Sequence, residues 1–400
     1  MIDEKESKIK PPFIFILIAV PIGAAAGIID TLFGRGLLLV TDIRTAYGGF
    51  LLPFLGVIGI MIVWFYRKFG GTSHKGMGLI FEAGHGISKD IPFRLIPFAV
   101  IGTWLTHLFG GSAGREGVAV QIGGTVAHVL GKRLTVVNGE KILLITGMAA
   151  GFAGLFRTPI AATFFAASVL TAGVLEYRAL LPALTAALTA SYVSGLLGLE
   201  KFCFTLTDDI IFSWALLPRL LILGILFGIT GRLFSLCLHK TKDLLARKMK
   251  NPFLRIFIIG TMIGCFSLLC FEGRYSGLGT NLISMSLDGT VYSWDFILKL
   301  LFTVLTLSAG FQGGEVTPLF SIGASLGVVL APFLGLPAAF TAALGYAAVF
   351  GSATNTLIAP IMIGAEVFGP GNLPYFVAVC ALAYGCNGNL SIYPLQKKKK

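Results

Sequence analysis

The chain has 400 residues, of which 55% are hydrophobic and only 12% charged. Soluble domains carry about a quarter charged residues, so this deficit excludes an ordinary water-facing surface and puts most of the exterior against lipid. The net charge of +12 does not indicate nucleic acid, because the basic residues stand in short breaks between apolar runs, where cytoplasmic loops hold Lys and Arg.

The opening stretch, residues 1–11, mixes both signs of charge, and the apolar run behind it has no small-residue cleavage pattern. It is read as a cytoplasmic segment leading into a first helix, not as a removed signal. Runs long enough to cross a bilayer, about 20 residues, are 12–30, 49–66, 91–109, 179–198, 214–237, 253–271 and 293–309. The runs 118–130, 141–156, 159–173, 316–335, 338–350, 358–368 and 374–386 are shorter or broken by Gly and Pro. Short pieces at membrane depth need protein or a watery cavity over their ends, and a chain with many of them usually has a binding site where they meet. The 51 glycines fit closely packed membrane helices.

Charge sets an orientation. Segment 239–255 holds Lys240, Lys242, Arg247, Lys248, Lys250 and Arg255 against one acid, Asp243, and is expected in the cytoplasm. The run before it then puts Glu200, Asp208 and Asp209 outside. Lys5, Lys8 and Lys10 place the N-terminus inside, and the lysines of the basic tail, 395–400, do the same for the other end. Arg157 is expected as a structural cation near the cytoplasmic face. The cysteines lack a C-x-x-C pair and read as small buried hydrophobes. The histidines show no metal spacing, so no metal or cofactor is expected.

Two stretches resemble each other half a chain apart. SAGREGVAVQIGG begins at Ser112 and SAGFQGGEVTPLFSIGA at Ser308; Gly114, Ile122 and Gly123 recur 200 positions later as Gly314, Ile322 and Gly323. Pro159-Ile160 recurs as Pro360-Ile361. With both ends inside and residue 205 outside, each half crosses an odd number of times, so similar halves are inverted. The expected fold is all-α and polytopic, with a first helix and first inverted repeat over 12–205 and a second over 206–394. Inverted repeats place a transport site at the midplane between them.

The residues that carry chemistry lie in the repeated stretches. Gly110, Gly111, Gly114 and Gly117 allow a sharp turn before an apolar run. The first N–H groups of the helix that follows lack internal partners and carry positive partial charge, which makes an anion site. Arg115 and Glu116 stand in that loop, and ionisable residues at membrane depth read as functional. An ionised Glu116 would occupy the anion site and a protonated one would leave it, coupling a proton to an anion; the plainer reading is a structural Arg115–Glu116 pair. In GFQGGEVTP, Pro318 suits a helix start, with Glu315 and Thr317 beside it. Glu315 reads equally as a partner of the helix dipole or as a transport residue. Glu366 reads as a proton relay or as a structural group facing a cavity.

Gly114-Arg115-Glu116-Gly117, Gly313-Gly314-Glu315-Val316-Thr317-Pro318, Phe156-Arg157-Thr158-Pro159 and Tyr393 stand in the order and spacing of the CLC family of chloride channels and proton-coupled antiporters, which the chain resembles over nearly its whole length. On residues alone Tyr393 reads as an aromatic at a membrane interface; the resemblance makes it the family's central tyrosine. The resemblance implies a homodimer with one anion pathway per subunit, in a cell membrane, without nucleic acid. It assigns anion contacts to Met77, Gly114, Arg115, Gly117, Val118, Gly314, Val316, Thr317 and Tyr393.

The chain departs from the pattern at informative positions. Val118 stands for Pro and Val316 for Phe; Met77, in Gly76-Met77-Gly78, replaces a serine whose hydroxyl would bind chloride, and a thioether donates nothing. Ser168 or Val169 stands where chloride antiporters carry a second glutamate. Met77, Glu315 and Thr317 together resemble the fluoride/proton antiporters of the family, with fluoride and protons as substrates. Chloride transport or a chloride channel is the alternative. An intramembrane enzyme is disfavoured, because Ser112 and His107 lie on different segments and no G-x-S-x-G occurs.

Overall fold

The computed structural model describes residues 12–88, 90–133, 139–206, 210, 213–269 and 271–398. Residues 1–11, Asp208, Asp209, Cys270, Lys399 and Lys400 lie outside the described residues.

The helices form two corresponding series. The first is α1 (Pro12–Leu51), α2 (Leu55–Phe65), α3 (Met77–Gly84), α4 (Leu95–Leu108), α5 (Glu116–Arg133), α6 (Glu140–Phe156), α7 (Pro159–Val169) and α8 (Tyr177–Leu196). The second is α9 (Leu216–Lys248), α10 (Pro252–Leu269), α11 (Thr280–Leu287), α12 (Asp295–Ala309), α13 (Val316–Leu334), α14 (Ala338–Thr354), α15 (Ile358–Phe368) and α16 (Leu373–Cys386). From α3 and α11 to α7 and α15, corresponding helices start about 200 residues apart. The packing repeats too: α5 lies on α6 as α13 lies on α14, and α1 covers α8 as α9 covers α16.

Glycines set the closest crossings. A Cβ on Gly123 would lie 2.0 Å from the Gly147 carbonyl oxygen, and one on Gly151 would lie 1.9 Å from that of Ala119. In the second half a Cβ on Gly323 would lie 2.0 Å from the Gly345 oxygen. Backbones touch at both crossings, which is how helices associate where lipid supplies no hydrophobic driving force. α8, α9, α10 and α13 are each long and apolar enough to span a bilayer, while α4, α7, α14 and α15 are shorter.

Several boundaries differ from the sequence reading. The run 12–30 continues in α1 to Leu51, with a kink at Tyr47 where the backbone leaves helical geometry (φ −121°). The stretch 316–335, read as broken, is the unbroken 19-residue α13: Pro332 falls in its last turn, and its glycines pack against α14 instead of breaking it. The basic segment from 239 is helical as far as Lys248. Two short helices, α3 and α11, were not among the apolar runs.

Arg157 is the other correction. Its guanidinium donates to the Leu199 carbonyl (3.1 Å) and packs on Gly195. It therefore sits at the end of the molecule that holds Glu200, opposite to the basic segment, and is not at the face assigned to the cytoplasm. Its φ of +56° makes it the left-handed cap of α6, as Asn355 (φ +55°) is of α14.

The start of the lysine tail is tied down. β1 (Thr171–Ala172) pairs in parallel with β2 (Lys397–Lys398), and the Gln396 carboxamide donates to the carbonyls of Val169 (2.9 Å) and Thr354 (3.1 Å).

Candidate anion and proton site

The two repeated loops meet each other. The Gly114 amide donates to the Gly314 carbonyl (2.5 Å), and the Gly314 amide donates back to Gly114 (2.8 Å). Residues 200 positions apart thus form an antiparallel bridge, and the start of α5 is held against the start of α13. Neither glycine has room for a side chain: a Cβ on Gly114 would lie 3.0 Å from the Gly314 oxygen, and one on Gly314 would lie 2.9 Å from the Gly117 nitrogen.

Across this bridge Glu116, at the head of α5, caps α13. Its carboxylate accepts from the Thr317 amide (3.1 Å) and the Thr317 hydroxyl (2.5 Å), and also from the Arg115 amide (3.2 Å). It is only 1% exposed. Bonds to an ionised carboxylate are the strong kind, and the exposed amides of a helix start are the natural partners of an anion. Arg115 Nε stands 3.9 Å from the carboxylate, within ion-pair reach but without a hydrogen bond. The plain pair of Arg115 and Glu116 is thus the weakest of the contacts made by Glu116.

Glu315 occupies the N-cap position of α13 without a side-chain bond to its own helix. The amide it could have capped is taken by Glu116. Its carboxylate points elsewhere: a Cβ built on Gly117 would lie 3.9 Å from Glu315 Oε2 and 3.8 Å from Met77 Cγ. Gly117, Met77 and Glu315 therefore converge.

They converge at a cavity of about 870 Å³. Met77, Glu315, Gln121 and Tyr393 line it, together with cations that include Lys75, Lys242 and Arg255. The last two belong to the basic segment assigned to the cytoplasm. Met77 is the first residue of α3, after Gly76 with φ +52°, a conformation glycine adopts without strain. Tyr393 is 5% exposed, with its ring 5.1 Å from that of Phe81. It lines the cavity and is not an aromatic of the lipid interface. The amide of its neighbour Ile392 donates to Ala353 (2.8 Å), which fixes the segment.

The two valines contribute differently. Val118 and Val316 are 1% and 0% exposed and pack into separate apolar clusters; neither lines the cavity. Glu366 resolves as a cap: its carboxylate accepts from the amides of Ile160 (3.2 Å) and Ala161 (2.8 Å) at the start of α7. Ser168 spends its hydroxyl on the Phe164 carbonyl, one turn back.

Three residues escaped the sequence reading. Gln121 lies in the cavity wall and donates to the Gly117 carbonyl (3.1 Å); a polar residue one turn after Glu116 in an apolar helix was the available signal. Lys299, fully buried, donates to Ser112 Oγ (2.9 Å) and to the carbonyls of Tyr275 (3.1 Å) and Gly277 (2.7 Å). It ties the loop before Glu116 to the loop before α11, and its sequence signal was a lone cation in an apolar run. Tyr346 lies in α14 against Phe320.

A family model described as voltage gated chloride channel matches residues 58–388. The chain is 36% identical over 354 residues to the "Chloride/fluoride channel protein" of Pseudomonas syringae pv. tomato, covering 86% of this chain and 77% of the other. It is 26% identical to the "H(+)/Cl(-) exchange transporter ClcA" of Vibrio cholerae serotype O1, covering 92% and 84%. Among solved structures it is similar to a CLC-type fluoride/proton antiporter, at 53% identity, a TM-score of 0.95 and 97% and 98% coverage. A slow cyanobacterial Cl⁻/H⁺ antiporter shares the fold, at 21% identity, a TM-score of 0.81 and 95% and 96% coverage. Its two corresponding helical series, the bridged loops between them and these matches together show that the chain belongs to the CLC family of voltage-gated chloride channels and anion transporters.

Proposed function

We propose that this protein exports fluoride in exchange for protons, with Glu116 as both gate and proton carrier. The observation that carries the reading is the placement of the Glu116 carboxylate on the Thr317 amide and hydroxyl. An ionised side chain there stands where a free anion would bind. Protonation removes its charge and weakens its attraction to those donors, so the carboxyl group leaves and fluoride takes the amides. When the proton passes on, the carboxylate returns and displaces the anion. One site held in turn by fluoride and carboxylate couples the two fluxes.

Fluoride is small and strongly hydrated, so it needs strong donors in place of its water. Met77 offers none and removes the hydroxyl that would favour chloride. The amides at the two helix starts, those of Gly117 and Thr317, supply donors instead once the carboxylate has left, with Arg115 adding charge. Glu315, half-buried at the cavity, is placed to pass protons between Glu116 and the cytoplasm. The 53% identity to a structure described as a fluoride/proton antiporter supports the substrate. The reading includes a homodimer in the cell membrane with both termini cytoplasmic, and a repeat boundary at 205/206.

The test is flux from liposomes containing the purified protein. A fluoride gradient drives proton uptake, and Glu116→Ala abolishes the coupling. Chloride moving as fast as fluoride would overturn the substrate. Glu315→Gln with intact coupled proton flux would remove Glu315 from the proton path.

A further inference from the structure

Two buried donors beside Glu116 make no hydrogen bond among the described residues: Arg115 Nε and the hydroxyl of Tyr346. Neither residue lines the cavity that holds Met77 and Glu315. Tyr346 is 0% exposed, and its hydroxyl is near enough to Arg115 and Glu116 to interact electrostatically with both. Its ring is stacked on Phe320, with centroids 4.0 Å apart and planes 5° apart. Phe320 follows Thr317 by three residues on α13, so the stack grows from the helix start that Glu116 caps. On its other side the Tyr346 ring faces Phe202 at 6.4 Å, in the stretch with Glu200 that charge places outside.

A buried hydroxyl without a partner is costly, and a polar donor in a membrane interior more so. Arg115 Nε stands 3.9 Å from the Glu116 carboxylate, and Tyr346 stacks one turn into the helix that this carboxylate caps, next to two helix starts that attract anions. A small acceptor-only ligand satisfies both donors. We propose that Arg115 Nε–H and the Tyr346 hydroxyl are the side-chain donors of a fluoride subsite on the outer side of Glu116, occupied after the anion has passed the carboxylate. The inference rests on the fluoride/proton reading and adds Tyr346 as a specificity-determining residue. The stack on Phe320 fixes the hydroxyl in place, so little ordering is needed on binding. Two acceptors could use these donors, free fluoride or the Glu116 carboxylate when it swings outward, and the variants below separate them.

Tyr346→Phe removes one oxygen atom and keeps the stack. Fluoride affinity is measured by titration calorimetry on purified protein, first in Tyr346→Phe, then in Glu116→Ala with and without Tyr346→Phe. Fluoride and chloride efflux and proton uptake are followed in liposomes. The expected result is about tenfold weaker fluoride binding and a similar fall in fluoride preference over chloride, in both backgrounds, with the proton-to-fluoride ratio of Tyr346→Phe unchanged. If Tyr346→Phe matters only while Glu116 is present, the hydroxyl serves the carboxylate and the fluoride subsite is overturned. Unchanged affinity and selectivity in both backgrounds overturn it as well. If the unmodified protein moves no fluoride, the fluoride/proton reading itself has failed; if it does and Tyr346→Phe is indistinguishable from it, only the subsite has.

Discussion

The carboxylate of Glu116 is bound by the amide and hydroxyl of Thr317, at 3.1 and 2.5 Å, across 201 positions of sequence. The head of the helix in one repeat is capped by a side chain of the other. A cap normally comes from the residue just before its helix; here that residue, Glu315, makes no side-chain bond to its own helix and faces the cavity. The exchange leaves one carboxylate on the amides and a second close to the vestibule.

On the proposed mechanism, removing the Thr317 hydroxyl loosens the gate. Thr317→Val keeps the backbone amide and the branched shape, and deletes one hydrogen bond to a charged group, worth about 1.5–3 kcal/mol. The carboxylate then competes less well with the anion, so fluoride crosses without waiting for a proton. The expected outcome is a several-fold rise in fluoride ions moved per proton, read from paired fluoride and pH electrodes on liposomes. An unchanged ratio would show that the hydroxyl contributes nothing to gating.

Glu116→Gln separates charge from shape. The amide side chain fills the same space and takes up no proton at ordinary pH. Proton uptake driven by a fluoride gradient is expected to fall to the level of empty liposomes, while fluoride still moves passively. Residual coupled uptake would place the proton carrier elsewhere.

These roles were partly legible in the sequence because the inverted repeat, once seen, brings residues 114 and 314 to one place, and an acid in a glycine-rich membrane loop has few ordinary explanations. The partner of Glu116 was not legible: which donor caps which helix depends on an approach of about 3 Å between chains of distant sequence. Tyr346 stayed hidden for a related reason. A tyrosine in an apolar helix looks like packing until its hydroxyl is found without a partner. The misread stretch 316–335 shows the limit of treating proline as a breaker: Pro332 costs α13 the bond its missing N–H would have made one turn back, yet the helix runs on to Leu334.

The glycine crossings predict a sharp stability effect. In Gly151→Ala the new methyl meets the Ala119 carbonyl oxygen at 1.9 Å, and backbone cannot step aside as a side-chain tip can. Overpacking typically costs about 1–3 kcal/mol, and contact with backbone belongs at the upper end. A lower melting temperature in detergent is expected, as it is for Gly323→Ala at the matching crossing. Gly49→Ala, which meets nothing within 4 Å, serves as the control and melts as the unmodified protein does.

Asp90 offers a pH-dependent tie outside the helices. The Lys132 ammonium, and less strongly His128, hold its carboxyl below the usual carboxylate range. A depressed carboxyl stabilises the fold above its unfolded value of about 4 and loses that contribution as pH falls through the folded value. Asp90 is largely exposed, so solvent and salt screen the effect. Asp90→Asn is expected to melt slightly below the unmodified protein at pH 7 in low salt, with the gap narrowing as the pH is taken below about 4. A gap that widens on acidification would contradict the assignment.

Met77→Ser tests what the departure at α3 contributes. Met77 lines the cavity beside Glu315 and Gly117, and its thioether offers an anion no donor. A serine there adds a hydroxyl facing the pathway and shortens the side chain, which makes room for a larger ion. Both changes favour chloride more than fluoride, because chloride sheds its water more readily and needs fewer strong donors. The expected outcome is a chloride efflux rate that rises several-fold while fluoride efflux stays within about twofold, the range of a single moderate hydrogen bond. If chloride still lags as far behind as in the unmodified protein, then the cavity at Met77 does not set selectivity. The discrimination then lies elsewhere on the path, and Tyr346→Phe tests the donors proposed on the outer side of Glu116.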